Sequence, residues 1–199
     1  MIEVMERLRR DCPWDREQTH ESLVTYLIEE TYELIEAIET KNSVDLQEEL
    51  GDVLLQVLFH AQIASESEGF NIQDVAQKLR EKLVNRHPHV FSDGEAKTSE
   101  EVKQNWEQIK VAEKSRTSPV DGVPLGQPAL SLAAKVLHRE QKISGKKVVA
   151  DSISEEELAT ALFKLVSRAH VSGIDPEGAL RRWVRSYIDR KSTRLNSSH

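Results

Sequence analysis

Apolar residues recur at three- and four-residue steps along most of the chain, a spacing typical of amphipathic helices. It predicts a first helix over 2–10, which stops at Cys12-Pro13 because the residue before a proline is pushed out of the helical region. A second helix should end near Glu39, and Ser43 is a plausible cap for a third helix, which ends before Gly69. The positions expected to be buried on these two helices are Val24, Leu27, Ile28, Thr31, Ile35 and Ile38, then Leu46, Leu50, Val53, Leu54, Val57, Leu58 and Ala61.

Two more helices are predicted further along the chain. Asn71 is a plausible cap for a fourth helix, which ends shortly after Arg86 because Pro88 follows. Ser99 opens a fifth helix that runs to about Lys114, after a loop over 87–98. The buried stripe of the fourth helix is expected to be Ile72, Val75, Leu79 and Leu83.

A dense run of prolines and glycines over 115–128 predicts a linker between two domains, 1–114 and 129–190. Helices are predicted in the second domain over 129–141, 154–171 and 176–188. The last nine residues, KSTRLNSSH, continue no periodicity, so 191–199 are expected to form a disordered tail that resembles a cloning scar. No convincing strand pattern occurs, and the predicted fold class is all-α.

The charge balance restricts the ligands that this chain can bind. Its 199 residues include 27 Lys and Arg against 34 Asp and Glu, a net charge of −7, and the basic residues are scattered among acids. This argues against binding to a nucleic-acid polymer. No run approaches the ~20 apolar residues of a membrane span. Because the N-terminus is also too charged for a signal peptide, a cytoplasmic protein without membrane contact is expected.

Two pairs of carboxylates carry the chemistry that the sequence predicts. Glu30 and Glu33 lie three residues apart on the second helix, and Glu49 and Asp52 repeat this spacing on the third. Each pair therefore projects from one helical face. Helices joined by a tight turn pack antiparallel, so the four acids are expected to converge beside the seam between the helices.

Four converging carboxylates repel one another unless they are protonated or bind a cation. All four donors are hard oxygens, which favours Mg²⁺ or Mn²⁺ over zinc or copper, and the Glu-x-x-His spacing of di-iron bundles does not occur in these two segments. Either pair alone would more often be a solvated helix face. The paired occurrence, together with a glycine at position 51 that suggests a close approach, favours a metal site.

Several motifs around these acids resemble those of one known family. EETYE and EELGD, with CPWDREQTHESL before them and RHPHVF and NWEQIK after them, resemble the MazG-type nucleoside triphosphate pyrophosphohydrolases of the all-α NTP pyrophosphatase superfamily. The resemblance covers about Leu8 to Lys114. It implies a helical bundle completed by homodimerisation. It also implies Mg²⁺-dependent hydrolysis of nucleoside triphosphates to monophosphate and pyrophosphate, which removes non-canonical or excess nucleotides.

The resemblance also implies roles for individual residues. The metal ligands would be Glu30, Glu33, Glu49 and Asp52, and Glu29 or Glu33 would accept the proton of the attacking water. The cations that contact the phosphates would be Lys82, Arg86 and Lys110. Trp14 and Trp106 would either stack on the base or fill the core.

The segment after the linker resembles a shortened second half of the same family. Glu157 matches the position of Glu49, but Thr160 stands where the aspartate of the metal motif is expected, and no Glu-Glu-x-x-Glu precedes them. This half is therefore expected to be structural or dimer-forming and not catalytic. Two other interpretations of the whole chain stay open: a non-enzymatic acidic helical module that dimerises, and a dUTP-specific or phosphoribosyl-ATP-type member of the same superfamily.

Overall fold

The computed structural model describes residues 1–114, 123–144 and 152–196, and of residues 107, 108, 110–114, 142–144 and 191–196 it describes the backbone alone. Every regular element in these ranges is a helix, which confirms the all-α prediction. The chain divides into two compact units, Met1–Trp106 and Glu107–His199.

Seven helices begin in the first unit. They are α1 (Ile2–Asp11), α2 (Pro13–Glu17), α3 (Val24–Thr40), α4 (Ser43–Ser67), α5 (Ile72–Arg86), α6 (Pro88–Phe91) and α7 (Ser99–Lys114). The two short helices, α2 and α6, were missed by the periodicity. Each begins at a proline, whose fixed φ suits the first position of a helix. The prediction that 87–98 is entirely a loop is wrong for this reason.

Side chains and backbone at the helix ends explain where the helices begin and stop. Lys41 adopts a left-handed conformation with φ of 57°, and its N–H bonds the carbonyls of Ala37 and Ile38, which ends α3. The α4 cap is Asn42 and not the predicted Ser43, since the Asn42 side chain accepts from the N–H groups of Val44 and Asp45. Asn71 caps α5 as predicted, in a reciprocal capping box with Asp74.

The core of the first unit lies where α1 and the segment before α3 pack on the second half of α4. Its buried side chains are Met5, Leu23, Leu58, Phe59 and Ile63, with Leu55 and Ile72 packed against them. The predicted stripes are therefore only partly buried in one chain. The predicted core positions that are instead exposed are Val24, Ile28, Thr31, Ile35, Ile38, Leu50, Leu54, Val57, Leu79 and Leu83.

The second unit contains α8 (Ala129–Ser144), α9 (Glu155–Val171) and α10 (Pro176–Asn196). Its core is formed by Val123, Leu132, Val136 and Val184. The carboxylate of Glu177 accepts a hydrogen bond of 2.8 Å from the Ala129 N–H at the start of α8. Helix α10 continues to Asn196, into the segment for which the sequence predicts a disordered tail, and basic residues near its end suit a helix C-terminus.

Candidate active site

The α3–α4 hairpin positions the predicted acids. The left-handed Lys41 reverses the chain within two residues, so α3 and α4 pack antiparallel along their length. One carboxylate oxygen from each of Glu30, Glu49 and Asp52 lies within 4.8 Å of the others, and all three side chains are half-buried. The predicted convergence of acids from two helices is therefore present in the fold.

The acids affect one another's protonation. Burial raises the pKa of Glu30 above its ordinary value, and the negative charges of Asp52, Glu33 and Glu49 raise it further. Burial also raises the pKa of Glu49, with additional repulsion from Glu33 and Asp52. Glu33 lies at the exposed edge of the group, where it shares a hydrogen bond with Glu30. All four predicted ligands thus interact.

The residues present fit a divalent cation. One oxygen of Glu49, Oε2, is buried without a hydrogen-bond partner, so it has a lone pair free for a metal. Half-buried carboxylates that repel one another are stabilised by a bound cation, and an all-oxygen donor set suits a hard one. In the part of the chain that the structure describes, this is the single group of three or more such side chains close enough to share an ion.

The remaining predicted site residues fall into separate places. On α5, the guanidinium of the buried Arg86 lies over the ring of Trp106 of α7, 5.4 Å from its centroid. Lys82 is exposed one turn earlier on α5, and Glu29 is exposed on α3, outside the three-carboxylate group. The side chain of Lys110 lies outside the described residues.

Trp14 belongs to a small aromatic group. Its ring meets Tyr26 edge-on at 5.8 Å and Phe59 edge-on at 6.4 Å, and about half of its surface stays exposed (49%). Tyr26 lies one turn before Glu30 on α3, so this group is adjacent to the acids along the helix. Trp14 therefore packs on two aromatic side chains and also presents part of its surface to solvent, so a role in stacking on a base stays a prediction.

Arg9 holds the segment that carries Trp14. Its guanidinium donates to the carbonyl oxygens of Asp15, Arg16 and Gln18 and forms a bidentate pair with Glu66 of α4. The side chain is only 11% exposed. Arg9 thus bonds three carbonyls within and just after α2, and it ties this segment to α4. Sequence reasoning gave Arg9 no role.

A second polar contact joins the start of α3 to α4. The rings of His20 and His60 stack at 5.0 Å with their Nδ1 atoms 2.7 Å apart, and His20 Nε2 lies 3.0 Å from the Glu68 carboxylate. Burial, followed by the charge of His20, lowers the pKa of His60. The two histidines are 40 residues apart in the sequence, so helical spacing alone could not pair them.

The glycine at position 51 does not mark a close approach within the chain. A Cβ built on Gly51 would meet no other atom within 4 Å. The inference that a helix accepts this glycine because another group packs against it is therefore wrong for the single chain. Helical periodicity indicates which face a residue shares, but it does not show whether anything covers that face.

Comparison with known proteins identifies the family. Residues 18–91, which contain all four acids, match the MazG nucleotide pyrophosphohydrolase domain. The chain is 47% identical to an uncharacterized 26.1 kDa protein of Streptomyces cacaoi over 95% of its own length and 78% of that protein.

Two named relatives agree with this match. The chain is 42% identical to the nucleoside triphosphate pyrophosphohydrolase/pyrophosphatase MazG of Thermotoga maritima, over 96% of its length and 82% of that protein. It is 37% identical to the nucleoside triphosphate pyrophosphohydrolase of Escherichia coli K12, over 92% of its length and 81% of that protein. The chain therefore belongs to the MazG nucleotide pyrophosphohydrolase family. None of its described helices combines the length and apolarity needed to cross a membrane.

Proposed function

We propose that this protein is a Mg²⁺-dependent nucleoside triphosphate pyrophosphohydrolase that releases nucleoside monophosphate and pyrophosphate and so clears unwanted nucleotides. The observation that carries this proposal is the meeting of Glu30, Glu49 and Asp52 within 4.8 Å, with Glu33 beside them. Relatives named for this activity are 37% and 42% identical to the chain over most of its length. Mn²⁺ would suit the same oxygen donors.

The reaction needs a proton acceptor and charge stabilisation. A water oxygen attacks the α-phosphorus, the bond from this phosphorus to the bridging oxygen breaks, and the bridging oxygen leaves with pyrophosphate. Either Glu33, at the edge of the cluster, or Glu29, exposed on the same helix, accepts the proton of the water. Mg²⁺, when bound by the four acids, supplies positive charge to the phosphate oxygens.

Cationic side chains would balance the rest of the triphosphate charge. Lys82 is exposed and available on α5, one turn before Arg86. Arg86, whose guanidinium lies over Trp106, would contact the phosphates as the family resemblance implies. The family resemblance adds Lys110, four residues after Trp106 in the sequence, to the proposed phosphate contacts. Trp14 offers its exposed face to the base.

A homodimer is part of the proposal. Apolar side chains at helical spacing on α3, α4 and α5 remain exposed in one chain, among them Ile28, Leu54 and Leu83. Exposed apolar side chains at helical spacing are expected to be covered, and a second copy of the chain could cover them. Sedimentation equilibrium should give twice the mass of one chain, and Ile28→Asp should lower the association constant. A monomer at micromolar concentration would contradict this part of the proposal.

We propose that the second unit has a noncatalytic role. The carboxylate of Glu157, which matches Glu49 by resemblance, accepts hydrogen bonds from Ser154 in the capping box of α9, and these bonds lower its pKa. Thr160 is exposed and supplies no carboxylate. This half therefore serves structure or association.

Pyrophosphate release tests the proposed activity directly. The assay uses a panel of ribo- and deoxyribonucleoside triphosphates with Mg²⁺ or with EDTA. We expect metal-dependent release of pyrophosphate and monophosphate that Glu33→Ala abolishes, whereas Glu39→Ala, at an exposed site in the last turn of α3, retains it. Folded protein that releases no pyrophosphate from any nucleotide would refute the proposal and favour the nonenzymatic acidic module.

A further inference from the structure

Gln56 of α4 is a buried polar side chain that lacks a partner. It is 5% exposed, and its Oε1 atom is buried without any hydrogen bond. Leaving a buried amide oxygen unpaired costs free energy, and buried polar groups are therefore nearly always bonded. This oxygen, one helical turn from Asp52, is therefore an unused acceptor near the proposed substrate site.

Along α4, Gln56 lies between two contacts that this helix makes with α3 and with the segment before α3. Asp52, one turn before it, meets Glu30, and His60, one turn after it, stacks on His20. Gln56 thus lies on the same stripe of α4 as the acids and about 6 Å from Asp52 along the helix axis. The Nε2 atom of His60 is also buried without a hydrogen bond, so this part of the seam carries two unpaired polar atoms.

Charge and chemistry decide which way a bound nucleotide would extend along this stripe. Toward the hairpin turn, α4 presents further acids, Asp45 and Glu48, which repel a nucleotide and contribute to the raised pKa of Glu49. Toward Gln56, the chain presents Trp14, whose ring packs on Phe59. With the triphosphate on the acids, the nucleoside therefore extends toward Gln56.

We propose that Oε1 of Gln56 accepts a hydrogen bond from the nucleoside part of the substrate, and that this residue helps to determine nucleotide specificity. The inference rests on the proposed function. An amide oxygen can accept from an amino or imino N–H of the base or from a ribose hydroxyl. In either case, the contact lies on the nucleoside and not on the phosphates.

The test compares Gln56→Met, which keeps the length of the side chain and removes the acceptor, with Gln47→Met at an exposed position of the same helix. We expect kcat/KM for the best nucleotide to fall about tenfold in Gln56→Met alone. Inhibition by inorganic tripolyphosphate, which has no nucleoside, should keep the same inhibition constant. An unchanged kcat/KM, or a parallel loss of tripolyphosphate binding, would overturn the inference.

Additional substrates locate the donor. If the base donates, hydrolysis of ribose 5-triphosphate, which has no base, is unaffected by Gln56→Met. If a ribose hydroxyl donates, ribose 5-triphosphate loses the same factor as the nucleotide, and a 2′-deoxynucleotide separates the 2′-hydroxyl from the 3′-hydroxyl.

A stability measurement makes the test independent of activity. Without nucleotide, Gln56→Met should melt at the wild-type temperature or above, because an unpaired buried oxygen has been removed. A lower melting temperature, or failure to fold, would show that Oε1 has a partner within the protein and would overturn the inference. Wild-type protein that folds but releases no pyrophosphate would instead refute the proposed function, so the two failures are distinguishable.

Discussion

Replacing Gly51 with alanine tests the local geometry of α4 with one methyl group. Gly51 lies inside α4, and an added Cβ would meet no atom within 4 Å. Glycine in a helix interior costs about 1 kcal/mol relative to alanine, and no steric clash opposes this gain. We therefore expect Gly51→Ala to raise the free energy of unfolding by about 1 kcal/mol, which corresponds to a melting temperature higher by about 3 °C for a chain of this size.

Urea unfolding measured by tryptophan fluorescence checks this value. A Trp183→Phe background removes the tryptophan of the second unit, so that Trp14 and Trp106 report on the first. Gly69→Ala is the matched control, because Gly69 also has open space around it but has a φ of 77°. Alanine is strained at that φ, and this control should therefore be destabilised. Destabilisation of both variants would refute the reasoning about Gly51.

Three further predictions concern the acids and Arg9. In EDTA, Glu49→Gln should raise the melting temperature because it relieves repulsion among the acids. When Mg²⁺ replaces EDTA, the wild type should gain about 2.7 kcal/mol of stability at a Mg²⁺ concentration one hundred times the Kd, and Glu49→Gln should lose this gain. Also in EDTA, the contribution of Glu30 and Glu49 to stability should fall as pH rises above 4.5, because both have a raised pKa and the folded state retains protons that the unfolded state has lost. In urea titrations, the free energy of unfolding of Glu49→Gln relative to that of the wild type should therefore increase with pH. Arg9→Met should lower the free energy of unfolding by about 2 kcal/mol, whereas Arg7→Met, at a side chain that is 78% exposed, should change it little; urea titration of both variants decides this.

The elements that depend on local chemistry could be predicted from the sequence. The Asn71 cap and the three- and four-residue periodicity predicted α5. The spacing of Glu30, Glu49 and Asp52 predicted that these acids converge. Both depend on the geometry of one helix or of one short hairpin. The short helix α2 was missed because a single turn carries no period.

Contacts that depend on tertiary packing could not be predicted in this way. Arg9 reaches Glu66 across 57 residues of sequence, and nothing in the local pattern around either residue indicates a partner. The exposure of Ile28 and Leu54 shows a second limit. An apolar stripe predicts that a face is covered, but it does not distinguish a cover within the chain from one supplied by another molecule.

The two halves of α4 have opposite effects on stability. Its buried residues all lie from Gln56 onward, where Leu58, Phe59 and Ile63 enter the core of the first unit. The half before Gln56 carries the repelling acids and a glycine, has no buried residue in one chain, and presents exposed apolar side chains. Packing in the second half therefore holds the first half in place. Binding of the proposed cation and of a second chain there would recover the free energy that the repelling acids cost. The repulsion that destabilises the acid end of α4 is thus the same property that would favour a metal ion at this site.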